Sequence, residues 1–337
     1  MRRAAIGLSA CALLSLAGCK TGWLEESSPT DADLYAVFGV PDGDVYAVGV
    51  GGTVLRRSGG SWYQLDSGIE DDLYGVWGTS DEHVVVVGAN CTALEFNGEP
   101  EPPDGGEAPP DMRALEVSGC ERDGDPQRVL RNIDGPDASR AYVTCEPPGH
   151  NLFVYSEGSI SAYGSSGVRL LGVSYPVSGR LYLSGEEGLF DVQGDEPWQT
   201  RIRLCPVELV DGTCPLPEEE QALPILWDVW VGEGGQGAAV GSFGGVWLYP
   251  PPEEGFWEAI DTGIDGDLRG VHGFEKSDGT AELYAIGNYG AIFRVRDGEA
   301  KRQVSGTKEQ LYGVWASPDG SQAYAVGAAG TILHLHN

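Results

Sequence analysis

LYGVWASPDGSQAYAVGAAGTILHLHN, residues 311–337, is the stretch whose reading decides the fold. Three short runs rich in Val, Tyr, Trp and Ile are separated by Gly, Pro, Asp and Ser, the residue types of tight turns. The first run is Leu311-Tyr312-Gly313-Val314-Trp315 and the second is Tyr324-Ala325-Val326-Gly327. Gly330 follows three residues later, and Thr331-Ile332-Leu333 opens the third run. Paired glycines at that spacing suit a turn needing positive φ and a close backbone approach. So few strands cannot bury an apolar face alone, so the unit needs neighbours of its own kind.

The neighbours are upstream. Leu34-Tyr35-Ala36-Val37-Phe38 and Leu73-Tyr74-Gly75-Val76-Trp77 repeat the first run closely. Leu226-Trp227-Asp228-Val229-Trp230 and Leu268-Arg269-Gly270-Val271-His272 are near relatives, and Leu130-Arg131-Asn132-Ile133 and Leu170-Leu171-Gly172-Val173-Ser174 are degraded copies. The seven starts lie 39, 57, 40, 56, 42 and 43 residues apart, and both long intervals carry recognisable insertions. The period is therefore near 40, the length of a four-stranded propeller blade. The glycine pairs recur as Gly49/Gly52, Gly185/Gly188, Gly241/Gly244 and Gly287/Gly290, and Trp62, Trp198 or Trp257 opens the fourth run. These tryptophans and the inner-strand aromatics read as packing between blade faces.

Trp62 and Trp257 precede the next inner-strand leucine by eleven residues, and Trp23 precedes Leu34 by the same interval. Residues 23–28 thus look like a fourth strand without its first three, while the chain ends on three strands without a fourth. The expected fold is all-β: a seven-bladed β-propeller of four-stranded blades spanning residues 23–337, its last blade closed by the N-terminal strand. Closure of that kind removes the exposed sheet edge.

The GVWG…VYAVG…GTILH…W units resemble those of bacterial extracytoplasmic propellers, frequent as lipoproteins in myxobacteria. More distantly they are similar to photosystem II assembly-factor and sialidase-type repeat propellers. The resemblance implies fold rather than activity. The sialidase Asp-box is broken, since Ser58-Gly59-Gly60-Ser61-Trp62 lacks the aspartate, and WD-repeat signatures are missing from their places.

Residues 1–18 read MRRAAIGLSACALLSLAG, two arginines and an apolar run too short to span a bilayer. Leu16-Ala17-Gly18-Cys19 resembles a bacterial lipobox, which implies cleavage before Cys19 and acylation (palmitate among the chains) on that residue. Residues 19–22 then form the lipidated tether. Each buried CH₂ contributes about 0.8 kcal/mol to anchoring. The expected location is the bacterial cell envelope, lipid-anchored at the outer membrane on its periplasmic or surface side.

The net charge is −30 and becomes −32 without Arg2 and Arg3. Such a surface repels nucleic acid and anionic headgroups, and admits cationic partners. Loops joining strands two to three, and strand four to the next blade, open on one face, the top. The proline-rich acidic insertion 99–111 falls on the bottom and the insertion 205–223 on the top. Five cysteines remain after Cys11 and Cys19 are set aside. A Cys205–Cys214 bridge would restrain its insertion by about 2.5–3 kcal/mol. Cys91–Cys120 is the preferred second disulfide, with Cys120–Cys145 as competitor. Cysteine metal sites are not expected, because no CxxC or Cys/His spacing occurs.

The residue after each inner-strand leucine should ring the top mouth of the central channel: Tyr35, Tyr74, Arg131, Leu171, Trp227, Arg269 and Tyr312. Such aromatics and arginines suit a sugar, a carboxylate or a peptide end, and packing between blades explains them equally well. Around them lie acidic loops, Asp31 and Asp33, Glu70, Asp71 and Asp72, Asp123 and Asp125, Asp265 and Asp267. They read as a solvated rim before a calcium site. His334 and His336 share a strand face, as zinc ligands do, but no third ligand stands near them in sequence, so they read as solvent-facing. No metal, cofactor or catalytic constellation is expected. The sequence therefore reads as a monomeric, non-enzymatic binding or scaffolding module for an envelope protein, peptide or glycan. The alternative is a propeller enzyme, a glycan hydrolase or lyase, working from the channel mouth.

Overall fold

A computed structural model describes residues 21–40, 43–96, 111–120, 128–146, 151–165, 167–176, 179–193, 200–205, 224–249 and 256–336. The signal peptide, Cys19, most of insertions 99–111 and 205–223, Asp123, Asp125, His150, Trp198 and Cys214 lie outside them. The side chains of Cys205 and its strand neighbours 200–203 are likewise not described.

Seven four-stranded antiparallel blades form a ring. Blade 1 is Leu34–Gly39, Val45–Gly49, Val54–Ser58 and Ser61–Leu65; blade 2 is Leu73–Ser80, His83–Gly88, Ala93–Phe96 and Met112–Ala114. Blade 3 is Leu130–Asp137, Arg140–Cys145, Leu152–Ser156 and Ser159–Gly164; blade 4 is Leu170–Ser174, Arg180–Gly185, Gly188–Gln193 and Thr200–Cys205. Blade 5 is Leu226–Val231, Gly237–Gly241, Val246–Tyr249 and Phe256–Ile260; blade 6 is Leu268–Glu275, Ala281–Gly287, Ala291–Arg296 and Glu299–Gln303. Blade 7 takes Leu311–Ala316, Ala323–Gly327 and Ile332–His336 from the C-terminus and Gly22–Glu25 from the N-terminus. Each first strand contacts the first strand of the next blade, and the seventh contacts the first, so the ring is closed.

The closing register is Gly22↔His336, Trp23↔Leu335, Leu24↔His334 and Glu25↔Leu333, antiparallel, with Glu26 N–H donating to Ile332 O at 2.9 Å. The strand ends earlier than residue 28 because Ser28 and Thr30 turn the chain through their own side-chain bonds. Two departures from four-stranded blades occur. Glu116–Ser118 adds a fifth strand, parallel to the outer strand of blade 3. The outer strands of blades 4 and 5 also pair in parallel, Leu204 opposite Trp257, which joins those blades into one sheet.

The core lies between blade faces. Trp23, Trp62, Trp77, Trp247, Trp257 and Trp315 are buried, as are Tyr46, Tyr284 and Tyr324 from the second strands. Trp62 meets Tyr324 of blade 7 edge-on, and Trp23 meets Tyr284 of blade 6 in the same way. Trp62 and Trp23 thus pack on the second-strand tyrosine of the preceding blade, and Trp257 lies near Tyr182 of blade 4 in the same way, so a repeated pair of large rings locks these blades.

Candidate functional site

The first strands enclose a channel of about 870 Å³, and the sequence-predicted mouth residues Tyr35, Tyr74, Arg131, Leu171, Trp227, Arg269 and Tyr312 all line it. Strand alternation turns position two of each Leu-x-Gly-Val-Trp run toward the lumen at the top. Tyr35 stacks on Tyr74 at 4.8 Å and meets Tyr312 edge-on at 5.2 Å. The Arg131 guanidinium lies 4.4 Å from the Tyr74 ring centre, and that of Arg269 lies 3.8 Å from Trp227. Cation–π contacts so placed hold both guanidinium planes against the rings. Burial raises the Tyr35 phenol to about 12, with the neighbouring Tyr74 and the carboxylates of Asp72 and Asp33 adding to it.

Sequence reasoning missed Arg169, which joins the ring from just outside the repeat motif. Arg131 and Arg169 share the Glu146 carboxylate, Arg169 at 2.8 Å, and Arg269 pairs with Asp267 at 3.0 Å. The mouth therefore carries guanidinium and carboxylate side by side on an aromatic floor.

The acidic rim is more than a solvated surface. Asp33 accepts Ala329 N–H at 2.9 Å, Asp72 accepts Gly51 N–H at 2.9 Å, and Asp267 accepts Phe243 N–H at 3.3 Å. In each case the loop entering one blade caps the turn between strands two and three of the blade before it. Asp71 accepts from Asn90 and Thr92 at 2.7 and 2.6 Å within blade 2. Asp33, Asp72 and Asp267 thus hold turn amides and Asp71 holds side chains of its own blade, which sequence spacing alone could not show.

Each capped turn, and the matching turn of blade 6, carries two consecutive residues in the left-handed region, the second always glycine (Gly52, Gly244, Gly290 and Gly330). The first is Gly51 in blade 1 and Ala329 in blade 7, but Phe243 (φ 58°) in blade 5 and Tyr289 (φ 60°) in blade 6. A bulky side chain there is a costly choice where glycine is free. Both rings project into solvent, 83% and 75% exposed. Ile225 and Val304, also exposed, lie on the loops entering blade 5 and leaving blade 6. Among the described residues, four of the five exposed large hydrophobics (Tyr63 is the other) thus sit on the top face of two adjacent blades.

Two lumen carboxylates were not singled out from sequence. Burial raises Asp134 to about 7 against the pull of bonds from Tyr175 N–H and Gly135 N–H. Asp228 rises to about 7 for the same reason, with Asp134 adding to it. Their oxygens are engaged: Asp134 accepts Tyr175 N–H of blade 4 at 2.7 Å, and Asp228 accepts Val271 N–H of blade 6 at 3.0 Å and Val229 N–H at 2.9 Å. Asn132 reaches Asp228 at 3.3 Å from blade 3. Ser174 and His272 do the same work elsewhere, accepting Val231 N–H at 3.0 Å and Ala316 N–H at 3.1 Å. His272 replaces a packing tryptophan between Trp230 and Trp315, and burial lowers it to about 4, so it stays neutral.

Cys91 and Cys120 form a disulfide, Cα–Cα 5.9 Å, joining the top turn of blade 2 to the segment that leads into blade 3. That leaves Cys145 as a buried free thiol, raised by burial to about 11. The Cys205–Cys214 pairing lies outside the described residues. His334 departs from expectation. It is not solvent-facing but stacks on Tyr324 at 4.2 Å, and a third potential ligand absent from the local sequence, Glu26, bonds it at 3.0 Å. The N-terminal strand delivers that residue from 308 positions away.

No known protein family matches the chain, and no curated protein matches it. Solved structures do. YCF48 from Cyanidioschyzon merolae matches over 94% of this chain and 99% of its own, at 16% identity and TM-score 0.65. A YCF48 bound to D1 peptide matches over 94% and 96%, at 15% identity and TM-score 0.64. The WD40 propeller domain of Doa1 matches over 94% and 98%, at 13% identity and TM-score 0.65. At these identities the likeness is one of fold. The chain is a seven-bladed β-propeller, and its distant resemblance to photosystem II assembly-factor propellers holds at that level.

Proposed function

We propose that this propeller is a non-enzymatic binding or scaffolding module that engages a protein or peptide partner through its top face. The observation that carries the reading is the convergence there of the aromatic–arginine mouth with the exposed Phe243 and Tyr289. Exposed aromatics beside a rim of charge are the usual anchors of protein contacts. A propeller of the same fold with a bound peptide supports the choice of partner class. The lumen carboxylates Asp134 and Asp228 are tied to backbone amides of adjoining blades, which favours an architectural role over acid–base chemistry. We further propose that lipid on Cys19 holds the module at a bacterial envelope membrane. The closing strand begins only three residues after Cys19, so the bottom rim sits at the bilayer and the top faces away.

Capture of partners from envelope extracts by wild type and by a Tyr74→Ala/Arg269→Ala variant tests the mouth. Loss of specific partners in the variant is expected, and identical recovery refutes the site. Cys19→Ser should move the protein from the membrane to the soluble fraction, and unchanged partition removes the anchor.

A further inference from the structure

We infer that the closure seam carries a site for a divalent transition-metal cation, with His334 and His336 as ligands and Glu26 as the carboxylate that orients His334. One potential donor atom of each residue lies within 4.8 Å of the others. The cluster does not exist in either chain terminus alone. It forms only when the N-terminal strand pairs with Ile332–His336.

The protonation of the cluster follows from its bonds. Glu26 accepts both Arg57 Nε and Nη2 at 2.9 Å, Trp62 Nε1 at 2.8 Å, and His334 Nδ1 at 3.0 Å. Arg57 and Trp62 are donors only, so the Glu26 carboxylate is held as an acceptor, and His334 donates to it from Nδ1. The Nε2 lone pair is left free. A histidine whose Nδ1–H donates to a carboxylate while Nε2 stays bare is the arrangement that metal-binding imidazoles adopt.

The rest of the surroundings fit a ligand role. Tyr324 stacks on the His334 ring and fixes its plane. His336 lies two residues on, hence on the same strand face, with its ring centre 4.4 Å from that of His334. It is exposed, so a cation reaches the pair from solvent. At the matching register of blades 1 and 6 the partner of the second-strand tyrosine is an arginine, in Tyr46↔Arg56 and Tyr284↔Arg294. Blade 7 alone of these three places an imidazole there, in Tyr324↔His334. An arginine serves packing and salt-bridging in that place but cannot ligate a metal. Glu26 neutralises Arg57, and water completes the coordination shell. Two imidazoles favour Zn²⁺, Ni²⁺ or Cu²⁺ over Mg²⁺ or Ca²⁺, and a pair rather than a full set implies reversible binding.

Because His334 also bonds Glu26 across the seam, metal binding should reinforce closure and raise thermal stability by linkage. The test is calorimetric titration and melting of the full chain with Zn²⁺, with Mg²⁺ as control. One saturable Zn²⁺ site and a rise in Tm are expected, with no response to Mg²⁺. His336→Ala, at an exposed position, and His334→Arg, which restores the tyrosine–arginine pair of the other blades, should each abolish both effects. Glu26→Gln should weaken Zn²⁺ binding about tenfold or more through loss of orientation. Absence of Zn²⁺ binding by the wild type overturns the inference. So does equal binding by the folded His336→Ala and His334→Arg variants, which would place the metal elsewhere.

Discussion

The third position of the Leu-x-Gly-Val-Trp run, glycine in four of the seven copies, shows how a missing side chain lets blades approach. A Cβ on Gly313 would lie 2.8 Å from Ala36 Cα and Tyr35 O of blade 1. One on Gly270 would meet Tyr312 O of blade 7 at 3.0 Å, and one on Gly172 would meet Asp228 of blade 5 at 2.9 Å. None of these three glycines has positive φ, so what they supply is space for the next blade. Gly313→Ala should therefore destabilise by roughly 1–3 kcal/mol, as overpacking does, read from denaturant unfolding. The lumen carboxylates give a second residue-scale expectation. With folded pKa values of about 7 for Asp134 and Asp228 and unfolded values near 3.9, the folded state binds more protons between those limits. Their contribution is fully present below about pH 4 and is lost as pH rises toward 7, by up to about 1.4 kcal/mol per pH unit for each group. The fall in unfolding free energy from pH 5 to pH 8 should shrink in Asp134→Asn and shrink further with Asp228→Asn added. An unchanged fall would mean that channel water solvates both groups.

At the scale of elements, the N-terminal strand decides whether a ring exists. It buries Trp23 against blade 6 and brings Glu26 to Arg57, Trp62 and His334, so it bridges blades 6, 7 and 1. Removal of residues 1–30 deletes a buried tryptophan, itself worth about 3–5 kcal/mol, and bares a sheet edge. A large drop in Tm and a tendency to self-associate are expected; melting like the intact protein would refute closure. The disulfide acts on a different pair of elements. Cys91 and Cys120 span a separation of 29 residues, for which loop entropy predicts a loss of about 3.5 kcal/mol on opening. Cys91→Ser should show that loss in equilibrium unfolding. Cys145, buried, should resist alkylation until the protein unfolds.

For the whole molecule, charge and shape act together. If the top face binds as proposed, a chain of net charge −30 with exposed aromatics there would favour partners with basic as well as apolar groups. Capture of such a partner should weaken as salt rises from about 0.05 to 0.5 M, because screening shortens the reach of the field. Insensitivity to salt would assign recognition to the aromatics alone.

The repeat period, the seven starts and the eleven-residue offset of Trp23 were readable from the chain because each repeat meets the same local demands. Alternation, turn chemistry and a glycine for close approach leave periodic marks. Ring order then fixed which residue of each first strand faces the mouth, and all seven lie there. What needed the tertiary structure were the relations between residues of different blades. Arg169 lines the channel beside Glu146 of blade 3, and the rim aspartates Asp33, Asp72 and Asp267 face turn amides of the preceding blade. Asp134 and Asp228 become neighbours only across the lumen. The closing stretch itself is the plainest case: the offset of Trp23 already assigned its fourth strand to the N-terminus, whereas the meeting of Glu26 with His334 came only with the fold. Periodicity is a local property and survives in one dimension. A pairing between residues 26 and 334 is set by closure of the ring, and only the folded molecule contains it.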